Sequence, residues 1–437
     1  MDWQEQMMDQ DSLYEHVKTL SVDIGPRPFA SDGEARAANY IFQKFKEYGI
    51  KSGLQSFRIK TYEYRTLAKI LSPVEKNFLC IPYLDLFFHD GTFSVNASVT
   101  QFTNGGNISD RIILLPSGNF LPFENIIKAN KNNAAAVLVY YISSGNSIKC
   151  PSLRDYIQRL SFLMLRRRTP IFLISEKDGH FISNLLKKNQ VLMEILVHFT
   201  RTIKPSCNVI GSVGEGESSI IICAHYDSYW GTACPGACDN ASGTAVLLEI
   251  AKVFSQFHEK VKKEIKFIAF SSEEYFAFGS LAYCFPSIAK VFSVFPPVIT
   301  DFLGNKMALI PPRHIRRVEA MINIDNVGYK GPLCVGTNLT SRSAHISSEI
   351  ERVLKKVINQ FADNKADQIN YFKSMVDSGD GRRFARLGVP TISLTRIGPG
   401  LAIYEHSTLD TIELISFEHL QKTAEFVYAL THALTLG

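Results

Sequence analysis

Residues 219–227 read Ser219-Ile-Ile-Ile-Cys-Ala-His-Tyr-Asp227, and residues 236–243 read Gly236-Ala-Cys-Asp-Asn-Ala-Ser-Gly243. The first is an apolar run of strand length that ends in His225 and Asp227. The second is a loop of small residues, after which Leu247, Ile250, Ala251 and Phe254 recur at helical spacing. A strand, a small-residue loop and a helix in that order predict a largely parallel sheet covered on both faces. Ligands of such sheets gather at the carboxyl ends of the strands.

The flanking sequence repeats the unit. Glu264–Phe270 reads as a strand running into Glu273-Glu274, Met321–Ile324 as a strand running into Asp325, and Val389–Leu394 as a further strand. Ser416 starts a final helix with Leu420, Ala424, Val427 and Leu434 inward. Residues 12–48 predict two helices. Ser31 and Glu34 form a capping box, Ala38, Ile41, Phe42 and Phe45 share one face, and Gly49 ends the second helix. Residues 62–200 change character: Arg111–Leu115, Ala134–Tyr141, Pro170–Ile174 and Leu192–Phe199 read as strands, Phe123–Lys131 and Asp178–Lys188 as helices. A chain of 437 residues is long for one core. The expected organisation is an α/β domain of residues 1–61 and 201–437, with 62–200 inserted.

The polar residues at the strand ends form a chemical set. His225, Asp239, Glu274, Asp325 and His406 supply the imidazoles and carboxylates that suit a pair of zinc ions bridged by one carboxylate. Asp239 is the expected bridge, with His225 and Asp325 on one ion and Glu274 and His406 on the other. Two ions roughly 3.5–4 Å apart can hold a hydroxide between them. Glu273 is left to act as the base that takes the water proton and returns it to a leaving amine. Asp227 lies two residues after His225, so on an extended segment both side chains point the same way and its carboxylate can fix the imidazole tautomer.

The composition is globular, with 46% apolar and 20% charged residues. A net charge of +5, with no basic stripe interleaved with aromatics, argues against a nucleic-acid partner. The longest apolar stretch, near 134–142, falls short of the roughly 20 residues that span a bilayer, so no membrane partner is expected. Met1–Asp11 is polar and has no apolar signal-peptide core, which predicts a cytoplasmic chain as given, or a secreted one if a leader has been removed. Cys80, Cys223 and Cys284 read as buried thiols. Cys234 and Cys238 are a close pair, read as small residues in a tight loop rather than a third metal site or a disulfide. Arg166-Arg167-Arg168 reads as a solvated charge run, and His16, His258, His419 and His432 as surface or packing residues on helices.

In order along the chain stand His225-x-Asp227, Gly236-Ala-x-Asp239-x-x-Ser-Gly243, Glu273-Glu274 with Gly279-Ser280, Asp325 with Gly328, Gly379-Asp380 with Phe384, Gly388 and Pro390, and His406-Ser-x-x-Asp410-Thr411. This pattern resembles the zinc aminopeptidases of peptidase family M28 over about residues 12–60 and 205–437. The resemblance implies a mixed, mostly parallel eight-stranded sheet, two zinc ions, removal of N-terminal residues from peptide substrates, and a cis peptide after the bridging aspartate, here Asp239–Asn240. Residues 62–200 are similar to the protease-associated domain that some members carry, a domain that shapes access rather than doing chemistry.

The chain departs from the pattern in three places. Many relatives have Tyr before the last histidine, to steady the oxyanion; here that position is Glu405, and Tyr404 stands one further back. Glu405 is read as a partner for a substrate α-amine, and Tyr404 and Asp380 as further substrate-binding candidates. The stretch between Glu274 and Asp325 is long, with an apolar surplus near 285–312 read as a flap or an oligomer contact. Gly379 replaces a usual Ser, with little expected consequence. Three other activities share the fold. A glutaminyl cyclase would use one zinc ion. A glutamate carboxypeptidase would need a basic pocket, for which Arg382, Arg383 and Arg396 are candidates. A receptor-type binding module would have lost ligands that this chain keeps.

Overall fold

The computed structural model describes residues 8–83, 91–102, 108–118, 122–142, 169–229, 233–256, 263–292, 311–338, 344–363, 367–373, 379–398 and 401–435. Its strands in chain order are β1 (Lys51–Ser72), β2 (Lys76–Phe78), β3 (Ile81–Tyr83), β4 (Gly91–Gln101), β5 (Ile112–Ser117), β6 (Ala136–Tyr141), β7 (Ile171–Ile174), β8 (Val191–Val213), β9 (Ser219–His225), β10 (Glu264–Phe270), β11 (Val318–Ile324), β12 (Leu333–Asn338), β13 (Ile369–Lys373) and β14 (Thr391–Arg396). The chain divides into two compact units. One holds Met1–Ile59, Lys204–Leu401 and Asp410–Gly437, and the other Lys60–Ile203 with Ala402–Leu409. Both long boundaries fall inside strands, β1 and β8.

In the first unit the strand order is β13-β12-β14-β11-β9-β10-β8, with β1 paired to β8. Strands β14, β11, β9 and β10 are mutually parallel, while β12 is antiparallel to β14 and β8 to β10. The sheet is therefore mixed with a parallel centre. All seven residues of β9 are buried, which accounts for a continuous apolar run instead of an alternating one. Helix 243–255 lies against β9 and is itself covered by helices 10–18, 32–47 and 417–435. It is consequently buried almost all round from Gly243 to Phe254. Leu420, Ala424, Val427 and Leu434 of the last helix point into the same core.

Helix Asp32–Glu47 starts and stops as its sequence predicts. Ser31 Oγ accepts the Glu34 N–H at 3.1 Å. Ala38, Ile41 and Phe45 are buried and Phe42 packs against them. At the other end Gly49 N donates to Lys46 O and Ile50 N to Phe45 O, both at 2.9 Å. This closure needs a left-handed residue, and Gly49 has φ +72°. One half of the capping box differs: the Glu34 carboxylate accepts from Ala30 N at 2.6 Å, one residue before the cap, and its other oxygen turns into the protein.

The second unit has strand order β8-β4-β5-β6-β7-β3, parallel from β4 to β7 and antiparallel at both ends. Its own core gathers Ile112, Leu114, Leu138, Phe172, Ile182 and Ile195. No described helix in the chain is long and apolar enough to cross a membrane. Arg166–Arg168, His258 and residues 293–310 of the apolar surplus lie outside the described residues; of the surplus, 286–292 is a helix. His16 is buried, with Nδ1 2.6 Å from Tyr40 Oη and Nε2 3.2 Å from Tyr48 Oη, a packing role.

Candidate metal centre

Three adjacent parallel strands deliver the acidic and imidazole side chains to one edge. β10 pairs with β9 so that Phe270 faces His225, and β11 pairs so that Asn323 faces Cys223. Asp325, two residues on, therefore falls level with His225. Asp239 enters from the irregular turn 237–242, whose backbone is held from three sides. The Asp410 carboxylate accepts Cys238 N–H at 2.8 Å and Asp239 N–H at 3.0 Å. Asn240 Nδ2 donates to Ile324 O at 2.8 Å, and its Oδ1 accepts Gly243 N–H at 2.9 Å and Asn326 N–H at 3.2 Å. Ser242 Oγ donates to Cys238 O at 2.7 Å. The Asp239–Asn240 bond is cis, as the resemblance implies.

The donor atoms converge in two groups, His225 with Asp239 and Asp325, and Asp239 with Glu274 and His406. Within each group the atoms lie within 4.8 Å of one another, and Asp239 belongs to both. His225 Nε2 is 3.2 Å from Asp239 Oδ1 and 3.3 Å from Asp325 Oδ1. Its Nδ1 is 3.1 Å from the Asp227 carbonyl oxygen, which leaves the Nε2 lone pair for a cation. Burial alone would lower the His225 pKa; the carboxylates of Asp325, Asp227 and Asp239 outweigh it and hold the imidazole well above its ordinary value. All five donors are buried except Asp325, whose side chain is about a third exposed. Imidazole and carboxylate groups concentrated in a dry site suit a zinc-type cation, and the sharing of one carboxylate suits two.

Glu273 and Glu274 ride on a buried turn with an unusual backbone. Ser272, Phe276 and Ala277 have φ of 57°, 65° and 49°, a left-handed conformation that costs a residue with a Cβ roughly 1–3 kcal/mol. Asp227 holds the front of the turn: its carboxylate accepts Glu273 N–H at 3.1 Å and Glu274 N–H at 3.3 Å. The expected contact of that carboxylate with the imidazole is longer, 3.6 Å from Nδ1. The Asp227 main-chain oxygen therefore sets the tautomer, and its side chain aligns the two glutamates. Asn208 accepts Ser271 N–H and donates to Gly279 O, and a Cβ at Gly279 would collide with the Ser271 carbonyl. Burial, with Glu274, Asp380 and Asp325 adding to it and His225 opposing, holds the Glu273 carboxyl well above the usual range.

Two residues of the N-terminal segment brace the centre from behind. Arg27 is fully buried, and its guanidinium donates to Tyr226 O at 2.6 Å, Gly236 O at 2.7 Å and Pro235 O. Glu34 accepts from Ser206 Oγ at 2.6 Å, from Ser271 Oγ and from Tyr226 Oη at 3.4 Å, tying the ends of β9 and β10 together. Burial pushes its carboxyl up to about 7. Burial and the Asp239 charge do the same to Asp410, also to about 7.

Asp380 is buried at the start of helix Gly381–Arg386, close enough to Glu273 for its charge to bear on that carboxyl. Tyr404 and Glu405 are half-buried just ahead of His406, and the Tyr404 carbonyl accepts from Ser407 N and Oγ. Cys234 and Cys238 are free and buried, with burial raising both thiols well above their ordinary value, and neither belongs to a donor group among the described residues. The sequence assigns no role to Arg27 or Asn208, and gives Glu34 only a helix cap, Asn240 only the cis peptide and Arg383 only a place in a carboxypeptidase pocket. Their partners are mostly main-chain atoms or distant hydroxyls, which leave no local pattern; Asp410 stood inside a quoted motif with no role given to it.

An α/β sheet with a buried two-part carboxylate–imidazole centre at the ends of its parallel strands is the architecture of metal-dependent hydrolases. The model of peptidase family M28 matches residues 208–431, and the chain belongs to that family. Among curated proteins it is similar to the aminopeptidase YwaD of Bacillus subtilis, 24% identical over 442 residues that cover 96% of this chain and 83% of the relative. It also resembles a probable leucine aminopeptidase 2 of Arthroderma benhamiae, 26% identical over 63% of this chain and 57% of the relative. Among solved structures it shares its fold with BSAP, a zinc aminopeptidase from Bacillus subtilis, at TM-score 0.71 and 22% identity over 97% of this chain and 95% of that one. A peptidase M28 precursor from Shewanella amazonensis follows at TM-score 0.69 and 19% identity, over 97% and 93%.

Proposed function

We propose that the protein is a dizinc aminopeptidase. The observation that carries the reading is Asp239, shared by two groups of donor atoms. His225 and Asp325 would hold one ion and Glu274 and His406 the other, with Asp239 between them. Bound there, the ions would polarise the scissile carbonyl and lower the pKa of the attacking water from about 15.7 towards 7. Glu273, its proton affinity raised by burial, takes the water proton and returns it to the leaving amine. Asp227 keeps His225 in its ligand tautomer and Glu273 and Glu274 in register. Glu405, half-buried beside His406, pairs with the substrate α-amine, and Tyr404 and Asp380 complete the substrate contacts. Residues 62–200 are read as the protease-associated-like insertion; among the described residues they contribute no donor to either group.

The carboxypeptidase reading loses two of its three candidate cations. Arg396 is fully buried and bonded to Asp367, Gly331 O and Thr423. Arg383 is buried on main-chain carbonyls. Two donor groups also favour two ions over the single ion of a cyclase. Free and N-acetylated aminoacyl-p-nitroanilides, assayed beside N-blocked peptides with a free carboxylate, test the assignment. Only the free-amine substrates should turn over, by roughly 10²-fold or more. Turnover of N-blocked peptides from their carboxyl end would replace the reading with the carboxypeptidase one.

A further inference from the structure

We infer that Arg383 is a positioning residue for the general base and for one metal ligand. The inference rests on the roles proposed for Glu273 and Glu274. The turn that carries them contains three left-handed residues and no glycine, Ser272, Phe276 and Ala277 standing where Gly would be expected. Such a backbone persists only where its surroundings over-determine it. Asp227 grips the turn at its amide end. At its carbonyl end the grip is Arg383: Nε donates to Ala277 O at 3.0 Å and one terminal NH to Phe276 O at 2.6 Å. The two acceptors are the carbonyls of two left-handed residues. A planar guanidinium with parallel N–H bonds matches that pair, and a single ammonium does not.

The geometry restrains the glutamates from both sides. Ala277 N donates to Glu273 O at 2.8 Å and Phe278 N to Ser272 O at 2.9 Å. Movement of the carbonyls that Arg383 holds is therefore passed directly to Glu273. Arg383 is 4% exposed on the short helix that begins beside Asp380. Phe384 on that helix packs against Phe270 and Tyr283. The same helix thus presents a carboxylate near Glu273 and a cation under its turn. An arginine that looks like an element of a substrate pocket in the sequence is committed to the backbone that aims the base.

The test uses the full-length protein with Arg383→Met and Arg383→Lys, and with Arg386→Met, exposed on the same helix, as the baseline. Thermal unfolding of the metal-free proteins first establishes which variants fold. In a folded Arg383→Met, kcat on a free-amine p-nitroanilide should fall by about 100-fold with KM changed less than about threefold. Chelator competition should show one of the two zinc affinities weakened at least about tenfold and the other unchanged. Arg383→Lys, which reaches one carbonyl, should fall between Met and wild type, and it decides the matter should the Met variant fail to fold. A purely structural arginine would lower the unfolding midpoint and leave kcat and both zinc affinities at wild-type values, and that result would overturn the inference. If wild type itself turns over no free-amine substrate, the aminopeptidase reading fails. The zinc-affinity arm then still decides whether Arg383 positions Glu274.

Discussion

Replacing Glu273 with Gln should lower kcat by roughly 10²–10⁴-fold while both zinc ions stay bound. The side chain is nearly isosteric and buried at 6% exposure, so its neighbours need not move. It belongs to neither group of donor atoms, so metal content should not follow activity. Without metal its environment is hostile to a carboxylate, through burial and through Glu274, Asp380 and Asp325; removing the charge should therefore leave the unfolding midpoint of the metal-free protein unchanged or raise it. Steady-state kinetics with metal analysis on the same preparation checks this. A kcat within tenfold of wild type at full zinc would mean that another group moves the proton.

Asp239→Asn should remove metal from both sites at once. The backbone at this position is held by Asp410, and its neighbour Asn240 by the end of β11, independently of the Asp239 carboxylate. The variant should therefore fold while losing the one side chain common to both groups. An amide oxygen is a weaker donor and carries no charge to set against two cations, so each affinity should fall by more than about 100-fold, beyond the usual effect of an outer-shell change. Gel filtration at micromolar protein should return less than one zinc per chain, and activity should vanish with it. His225→Ala or His406→Ala, by contrast, should each strip one ion. If Asp239→Asn keeps one ion at wild-type affinity, Asp239 does not bridge.

Much of this was readable before the structure because burial writes itself into sequence. β9 and β11 are largely apolar and run straight to a donor, His225 and Asp325, while β10 turns apolar at Phe267–Phe270 and reaches Glu273-Glu274 after two serines. Helix Asp32–Glu47 carries its own start and stop signals. Strand β1 is not among the strands expected from sequence, and of β8 only Leu192–Phe199 is; beyond Phe199 the burial alternation of β8 lapses into half-buried and exposed residues from Thr200 to Pro205 and gives no apolar run. The antiparallel entry of β12 next to β14 is a matter of connection, which periodicity does not encode. At the site, residue types were legible and orientations were not. A spacing of two residues put Asp227 on the side of His225, and could not say that the carbonyl would take the imidazole while the carboxylate took the next strand's amides. The left-handed turn at 272–277 was hidden for the same reason. It is held in shape by Asp227 and Arg383 from elsewhere in the chain, and it carries no glycine to announce it.

The most direct measurement is a zinc titration of metal-free protein, with hydrolysis of leucine p-nitroanilide followed at each step. The account predicts activity that rises to a plateau at two equivalents per chain, with N-acetyl-leucine p-nitroanilide inert throughout. A plateau at one equivalent, or equal turnover of the acetylated substrate, would contradict a dizinc aminopeptidase.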